Sequence, residues 1–175
     1  MVTRTGTMDR VTADSRDQEM VAVYGEGIRA GLAGAVAIAV WFLVLDILHG
    51  RPLYTPTVLG TAVFRGVGAL TDPASLRPSL EMVVSFTWIH TLIFVLFGMA
   101  AAWLIGLAER DSHYGFGILL LFAIFQSCFI FACMLFFEPV LHALTWQAII
   151  VGNLLAAAAM AAVFWRRHHR MVVQP

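Results

Sequence analysis

From Met1 to about Glu26, polar, charged and apolar residues mix without a period; from Ile28 onward, long apolar runs alternate with polar connections. Four runs stand out: Ile28–Leu48, Met82–Leu107, Tyr114–Phe137 and Ala143–Trp165. Each reaches the roughly 20 residues that carry a helix across about 30 Å of hydrocarbon. Lipid offers the backbone no hydrogen-bond partner, so spans of this length must be helices. The pattern predicts an all-α fold, a four-helix transmembrane bundle. Residues 1–27 form a mobile cytoplasmic polar tail, and 28–48, 82–107, 114–137 and 143–165 the four spans. Residues 49–81 and 138–142 connect them outside, 108–113 inside, and 166–175 form a basic cytoplasmic tail.

The loop 49–81 is the longest connection. Thr55-Pro56 reads as an N-cap followed by proline at the first helical position. Val58, Leu59, Ala62 and Val63 then share one face, which predicts a short interfacial helix on the outer membrane surface. Asp72-Pro73 repeats the start signal. Gly60, Gly66 and Gly68 weaken such a helix in isolation. No internal repeat is visible, so an inverted-repeat transporter has no support in the pattern.

Composition agrees with the bilayer as solvent. Of 175 residues 60% are hydrophobic, and mean hydropathy is +0.82; a soluble domain is nearer 45–50% apolar. Basic and acidic residues number 11 each, so no global positive field exists to recruit nucleic acid. The expected partners are the lipid bilayer and other membrane subunits. All the basic residues are arginine and none is lysine, the bias of a GC-rich, bacterial genome. Arg16, Arg29, Arg110, Arg166, Arg167 and Arg170 lie near span ends on one side, and Arg51, Arg65 and Arg77 on the other. That imbalance places both termini in the cytoplasm, as expected for an inner (plasma) membrane protein. The first apolar run starts too late and runs too long for a cleavable signal peptide. Trp88 and Trp146 at one level, and Trp103, Tyr114 and Trp165 at the other, resemble interfacial belts, whereas Trp41 falls mid-span. Cys128 and Cys133, five residues apart on one helix, are about 8 Å apart and point in different directions, which excludes a disulfide.

Small and polar residues mark helix contacts in membranes, because burying leucine gains nothing over lipid. At about 100° per residue, Gly27, Gly31, Gly34, Ala35 and Ala39 share a face with Asp46 and His49 on the first span. On the second, Thr87, His90, Thr91, Phe94, Gly98, Ala101 and Ala102 oppose Trp88, Ile89, Leu92, Leu96, Met99 and Trp103. Gln126 and Cys133 align with Gly115 and Ala123 on the third, and His142, Thr145, Gly152, Asn153, Ala156 and Met160 on the fourth. Gln126 and Asn153 sit near the midplane, where an interhelical hydrogen bond is the expected use of both.

Candidate chemistry gathers at the outer side. Asp46 and His49 lie one helical turn apart, a spacing at which both reach one ion. His90 lies roughly 12 Å below the start of the second span. Glu138 and His142 flank the last turn, with Pro139 between them. Together Asp46, His49, His90, Glu138 and His142 form a candidate metal site whose nitrogen and oxygen donors suit a transition metal. Against this stands interfacial solvation of His49, Glu138 and His142, with Asp46 capping a helix or pairing with Arg51. An imidazole as deep as His90 is functional by default. No GxSxG, HExxH or P-loop pattern is present. Arg166 to Arg170, with His168 and His169, most simply fix topology and touch anionic lipid.

The segment Gly50-Arg51-Pro52-Leu53-Tyr54-Thr55-Pro56, followed by Leu59-Gly60, resembles the stretch after the first span in a group of small bacterial four-span membrane proteins. The resemblance implies a bacterial inner membrane and brings no activity with it. Three classes of function remain: a non-catalytic accessory or structural subunit of a membrane complex, a bundle with a metal or redox cofactor at its extracytoplasmic side, and a small transporter or proton-coupled carrier. The absence of a soluble domain and of a catalytic motif favours the first.

Overall fold

The computed structural model describes residues 5–70, 72, 75–110 and 146–167. The described elements are helical: α1 (Thr5–Leu48), α2 (Tyr54–Arg65), a 3-10 turn (Val67–Ala69), α3 (Leu80–Arg110) and α4 (Trp146–Arg167). Three stretches are long and apolar enough to cross a membrane: Met20–Leu48, Leu80–Leu107 and Trp146–Arg166. The expected span Tyr114–Phe137 lies outside the described residues. α1 is the centre of the assembly, with α3 and α4 both packed along it and α2 folded against α3 and α1.

Helical backbone runs back through the polar segment to Thr5, where the sequence reading expects a mobile tail. The segment holds no proline, and extending an existing helix adds one hydrogen bond per residue fixed without a new nucleus. From Glu26 the buried positions follow a stripe of four-residue steps: Glu26, Ala30, Gly34 and Ile38, flanked by Gly27, Gly31 and Ala35. Ala39, expected on this face, is exposed; Ile38 takes its place.

Glycine sets the closeness of α1 and α3. A Cβ on Gly27 would stand 2.5 Å from the Met99 Cα, and one on Gly31 would meet the Phe94 carbonyl oxygen and the Val95 Cα. A Cβ on Gly98 would in turn meet the Gly27 carbonyl oxygen. Backbone therefore touches backbone, the contact that small-xxx-small patterns allow in membranes. The pairing is antiparallel and one for one over these contacts, so Ala35 falls opposite Thr91. Gly98 and Ala102 are buried, whereas Trp88, Leu92, Leu96 and Trp103 are exposed, the two faces expected for this span. Thr87, placed on the packed face, is exposed as well, bonding only to the Val83 carbonyl of its own helix. The same register sets Trp88 opposite Ile38, several residues deeper than a belt shared with Trp146.

α4 is held by a different device. The Trp41 indole N–H donates to the Ala148 carbonyl oxygen at 2.9 Å. That carbonyl lies one turn before Gly152, where a Cβ would stand 3.0 Å from Trp41 Cδ1. The missing side chain at Gly152 thus opens an α4 carbonyl to an indole from α1, and a mid-span tryptophan becomes a helix–helix tie. Trp41→Phe keeps the ring and removes the donor, so it is expected to cost about 0.6–1 kcal/mol. Thermal unfolding in detergent checks this; a variant as stable as wild type would remove the indole bond from the account of α4.

Candidate functional site

The polar residues at the loop end of the bundle are built around one turn. α1 ends where the Gly50 N–H donates to the Ile47 carbonyl at 2.9 Å and the Arg51 N–H to the Asp46 carbonyl at 2.8 Å. This is the paired 5→2 and 6→1 closure of a Schellman motif, with Gly50 at φ 69°. Leu53 then adopts φ 65° and ψ 15°, a left-handed conformation that costs a β-carbon-bearing residue roughly 1–2 kcal/mol. Two reversals within a few residues turn the chain back, and α2 starts beside the helix that precedes it.

Asp46 rewards that geometry. Its Oδ2 accepts the Thr55 backbone N–H at 2.8 Å, and its Oδ1 accepts the Thr55 hydroxyl at 2.7 Å. The first-turn donors of α2 are then accounted for. Tyr54 N–H goes to Arg51 O, Thr57 N–H goes to Leu53 O, Thr55 N–H goes to Asp46, and Pro56 has none. The expectation that Thr55 caps its own helix is corrected: residue 53 occupies the N-cap without a side-chain bond. The cap comes from α1, because the N-cap position holds Leu53, whose side chain has no acceptor to offer. Asp46 and Thr55 are both buried, at 5% and 3% exposure. A carboxylate there is tolerable only when hydrogen-bonded.

A second stitch ties α2 to α3. Thr57 donates its hydroxyl to the Leu53 carbonyl at 2.7 Å and accepts the Ser79 N–H at 3.2 Å. Gly60 sits on the Met82 carbonyl, which a Cβ there would approach to 2.5 Å. The buried face of α2 is Thr55, Thr57, Val58, Gly60, Thr61 and Ala62, so the short helix is there but its inward face is largely hydroxyl and glycine. Val63, expected on the apolar side, is exposed. Arg65 and Glu81 pair at 3.4 Å on the surface, and the Arg51 guanidinium lies 4.0 Å over the Tyr54 ring.

The structure separates the described candidates for metal binding. His49 is exposed, with Nδ1 2.7 Å from the Leu45 carbonyl. Asp46 points its carboxylate at Thr55. His90 lies against the Ala35 backbone, eleven residues nearer the middle of α1 than Asp46, or about 16 Å along the axis. Side chains of these lengths do not close such a gap, and the expectation that His90 meets Asp46 or His49 is corrected. The pattern puts all three on inward faces; it says less about axial offset, which the one-for-one pairing of α1 and α3 fixes. Among the described residues no three His, Cys, Asp or Glu side chains gather around a common point. Glu138 and His142 lie outside the described residues, as does Gln126, the expected partner of Asn153. Asn153 itself is half-buried on α4 beside Gly152.

His90 sits between Phe86 and Phe94, with ring centroids 5.5 Å and 4.8 Å away. Its Nε2 is buried and makes no hydrogen bond within the described residues. Glu26, read as part of the polar tail, is buried at 6% exposure within the apolar stretch Met20–Leu48. Its signal was available: it stands one turn before Ala30 and two before Gly34 on the packed stripe. Comparison with protein families, with curated proteins and with solved structures gives no match to this chain.

Proposed function

We propose that the chain is a multi-pass integral membrane protein of a bacterial inner membrane, a non-catalytic accessory or structural subunit with both termini in the cytoplasm. Tyr114–Phe137, by its sequence, supplies a fourth span beside the three described. The observation that carries the non-catalytic reading is the use of Asp46. The carboxylate best placed for chemistry near the loop end is engaged through both oxygens in seating α2. Trp41 and Thr57 are spent in the same way on α4 and α3. Broad apolar faces remain for lipid or neighbouring subunits, with Val36, Leu96 and Leu154 at 59%, 53% and 63% exposure; contiguous surface of this kind marks a membrane or a partner.

Reporter fusions test the topology. A fusion after Pro175 is expected to report cytoplasm, and one within the loop between Leu53 and Arg77 the outer side; a C-terminus reporting outside overturns the orientation. The subunit reading is tested on native gels after extraction in a mild detergent. A larger species holding other chains at fixed stoichiometry is expected, without bound transition metal. Stoichiometric metal lost in His90→Ala would instead favour the cofactor reading. The depth of His90 supports a second reading, a small proton-coupled carrier, because an ionisable residue in mid-span is most often part of an ion pathway.

A further inference from the structure

We infer that the chain's own segment Tyr114–Phe137 seats in the cleft between α3 and α4, and that its Gln126 meets the His90 imidazole there. The inference rests on the four-span reading above and goes beyond it by giving the fourth span a seat and a polar contact.

The cleft follows from how the described helices share their surfaces. α3 and α4 both pack along α1 and have little contact with each other. Phe94 of α3 and Met160 of α4 converge over Gly34, each 2.9 Å from a Cβ placed there, so α4 stands on the Phe94 side of the α1–α3 contact. Beside the α3 residues that face α1 runs a half-buried line of His90, Phe97 and Ala101. Beside Gly152 and Met160, which face α1 from α4, runs another, Asn153, Ala157 and Phe164. Both helices run away from the loop end, and successive residues of a right-handed helix turn clockwise by about 100° when viewed from its start. From the loop end, the α3 line is therefore counterclockwise of its α1 contact and the α4 line clockwise. The two lines turn toward one corner, the place of the fourth helix in an antiparallel bundle.

The chain supplies an occupant of the right length. Residues 111–145 lead from the far end of α3 back to the loop end, where α4 starts. Tyr114–Phe137 is apolar throughout its core and covers about 36 Å as a helix, enough to return in one pass. Gln126 lies at the middle of that segment, and Gly34 at the middle of the α1 stretch Met20–Leu48. Spans of one membrane share its midplane, which sets Gln126 level with Gly34. His90 lies against the next residue, Ala35, and its Nε2 is buried and makes no hydrogen bond within the described residues. Glutamine offers both a donor and an acceptor, so it answers Nε2 in either tautomer. Asn153 is the poorer partner. Gly152 stands beside Ile38 and Trp41, which puts Asn153 roughly 7 Å nearer the loop end than His90.

The test keeps the full chain, with Cys128→Ser and Cys133→Ser and a protease site inserted within residues 108–113. His90→Cys with Gln126→Cys is expected to form a disulfide within one chain on mild oxidation in membranes, so that the cut halves stay joined until reduced. Leu92→Cys with Gln126→Cys, at nearly the same height but on the exposed face of α3, is expected to link at roughly a tenth of that rate or less, because the Cβ atoms are held too far apart. Equal rates, or no disulfide at His90→Cys, overturn the seat. Covalent dimers in place of joined halves put a second copy in the cleft and overturn it as well. Thermal unfolding in detergent reads the polar contact without cysteines. The double variant of His90→Ala and Gln126→Ala is expected to fall no further than the lower single one, whereas the losses of Gln126→Ala and Asn153→Ala add. Additive losses at His90 and Gln126 overturn the contact. Failure of the four-span reading shows separately: reporters fused after Ser112 and after Leu141 then report the same side.

Discussion

Gly98→Leu is expected to destabilise the bundle by about 3 kcal/mol, at the upper end of the usual cost of overpacking, and Gly31→Leu by a similar amount. The usual cost assumes that neighbouring side chains give way. Here the nearest atoms are backbone: the Gly27 carbonyl for Gly98, and the Phe94 carbonyl with the Val95 Cα for Gly31. Neither can move without separating two helices along their length. Even Gly98→Ala meets the same obstacle, because the Cβ alone reaches the opposing carbonyl. Leu92→Ala changes a larger side chain on the same span, yet Leu92 is 48% exposed on the far face, and a surface change of that kind stays within about 0.5 kcal/mol. Thermal unfolding in one detergent compares the four variants. Equal loss in Gly98→Leu and Leu92→Ala would mean that α1 and α3 do not meet through glycine.

The contrast between those variants also marks how far the sequence carries. Composition and run length give the three apolar helices directly, because a bilayer imposes length and apolarity on any span. Faces are legible because glycine at helical spacing lets two backbones approach. Gly27, Gly31 and Gly98 are read correctly on that ground, and Ala39 incorrectly, since alanine is also tolerated facing lipid. Heights are harder. The inward faces of Asp46 and His90 come from angle alone, while their separation of about 16 Å depends on which residue of α3 stands beside which residue of α1. Nothing in the sequence around Asp46 fixes that pairing; the backbone contacts at Gly27, Gly31 and Gly98 do. Glu26 is missed because its neighbours in sequence are polar, although its neighbours one and two turns on are not. Trp41 is a packing residue by sequence and a hydrogen-bond donor by structure, since the opening at Gly152 lies 111 residues away.

Asp46→Ala is expected to have the largest effect of any substitution at the loop end, about 3 kcal/mol. It leaves the Thr55 N–H and hydroxyl buried without the acceptor that seats them, and no water-facing route replaces it, because Thr55 is 3% exposed. Asp46→Asn keeps a carbonyl oxygen in reach of one donor and gives up the charge, so it costs about 1–1.5 kcal/mol. Thr55→Val removes the hydroxyl but keeps the N–H bond, and falls near the lower end of that range. The order separates a cap from a ligand. A cap needs an acceptor and accepts asparagine in part, whereas a metal site that relies on a carboxylate loses its ion in Asp46→Asn and Asp46→Ala alike. Hydrogen exchange read at the amides of residues 54–62 is expected to quicken strongly in Asp46→Ala, moderately in Asp46→Asn and least in Thr55→Val, with α1 and α3 unchanged. If both Asp46 variants exchange alike, and both lose a metal that the wild type holds, Asp46 is a ligand first and the seat of α2 second.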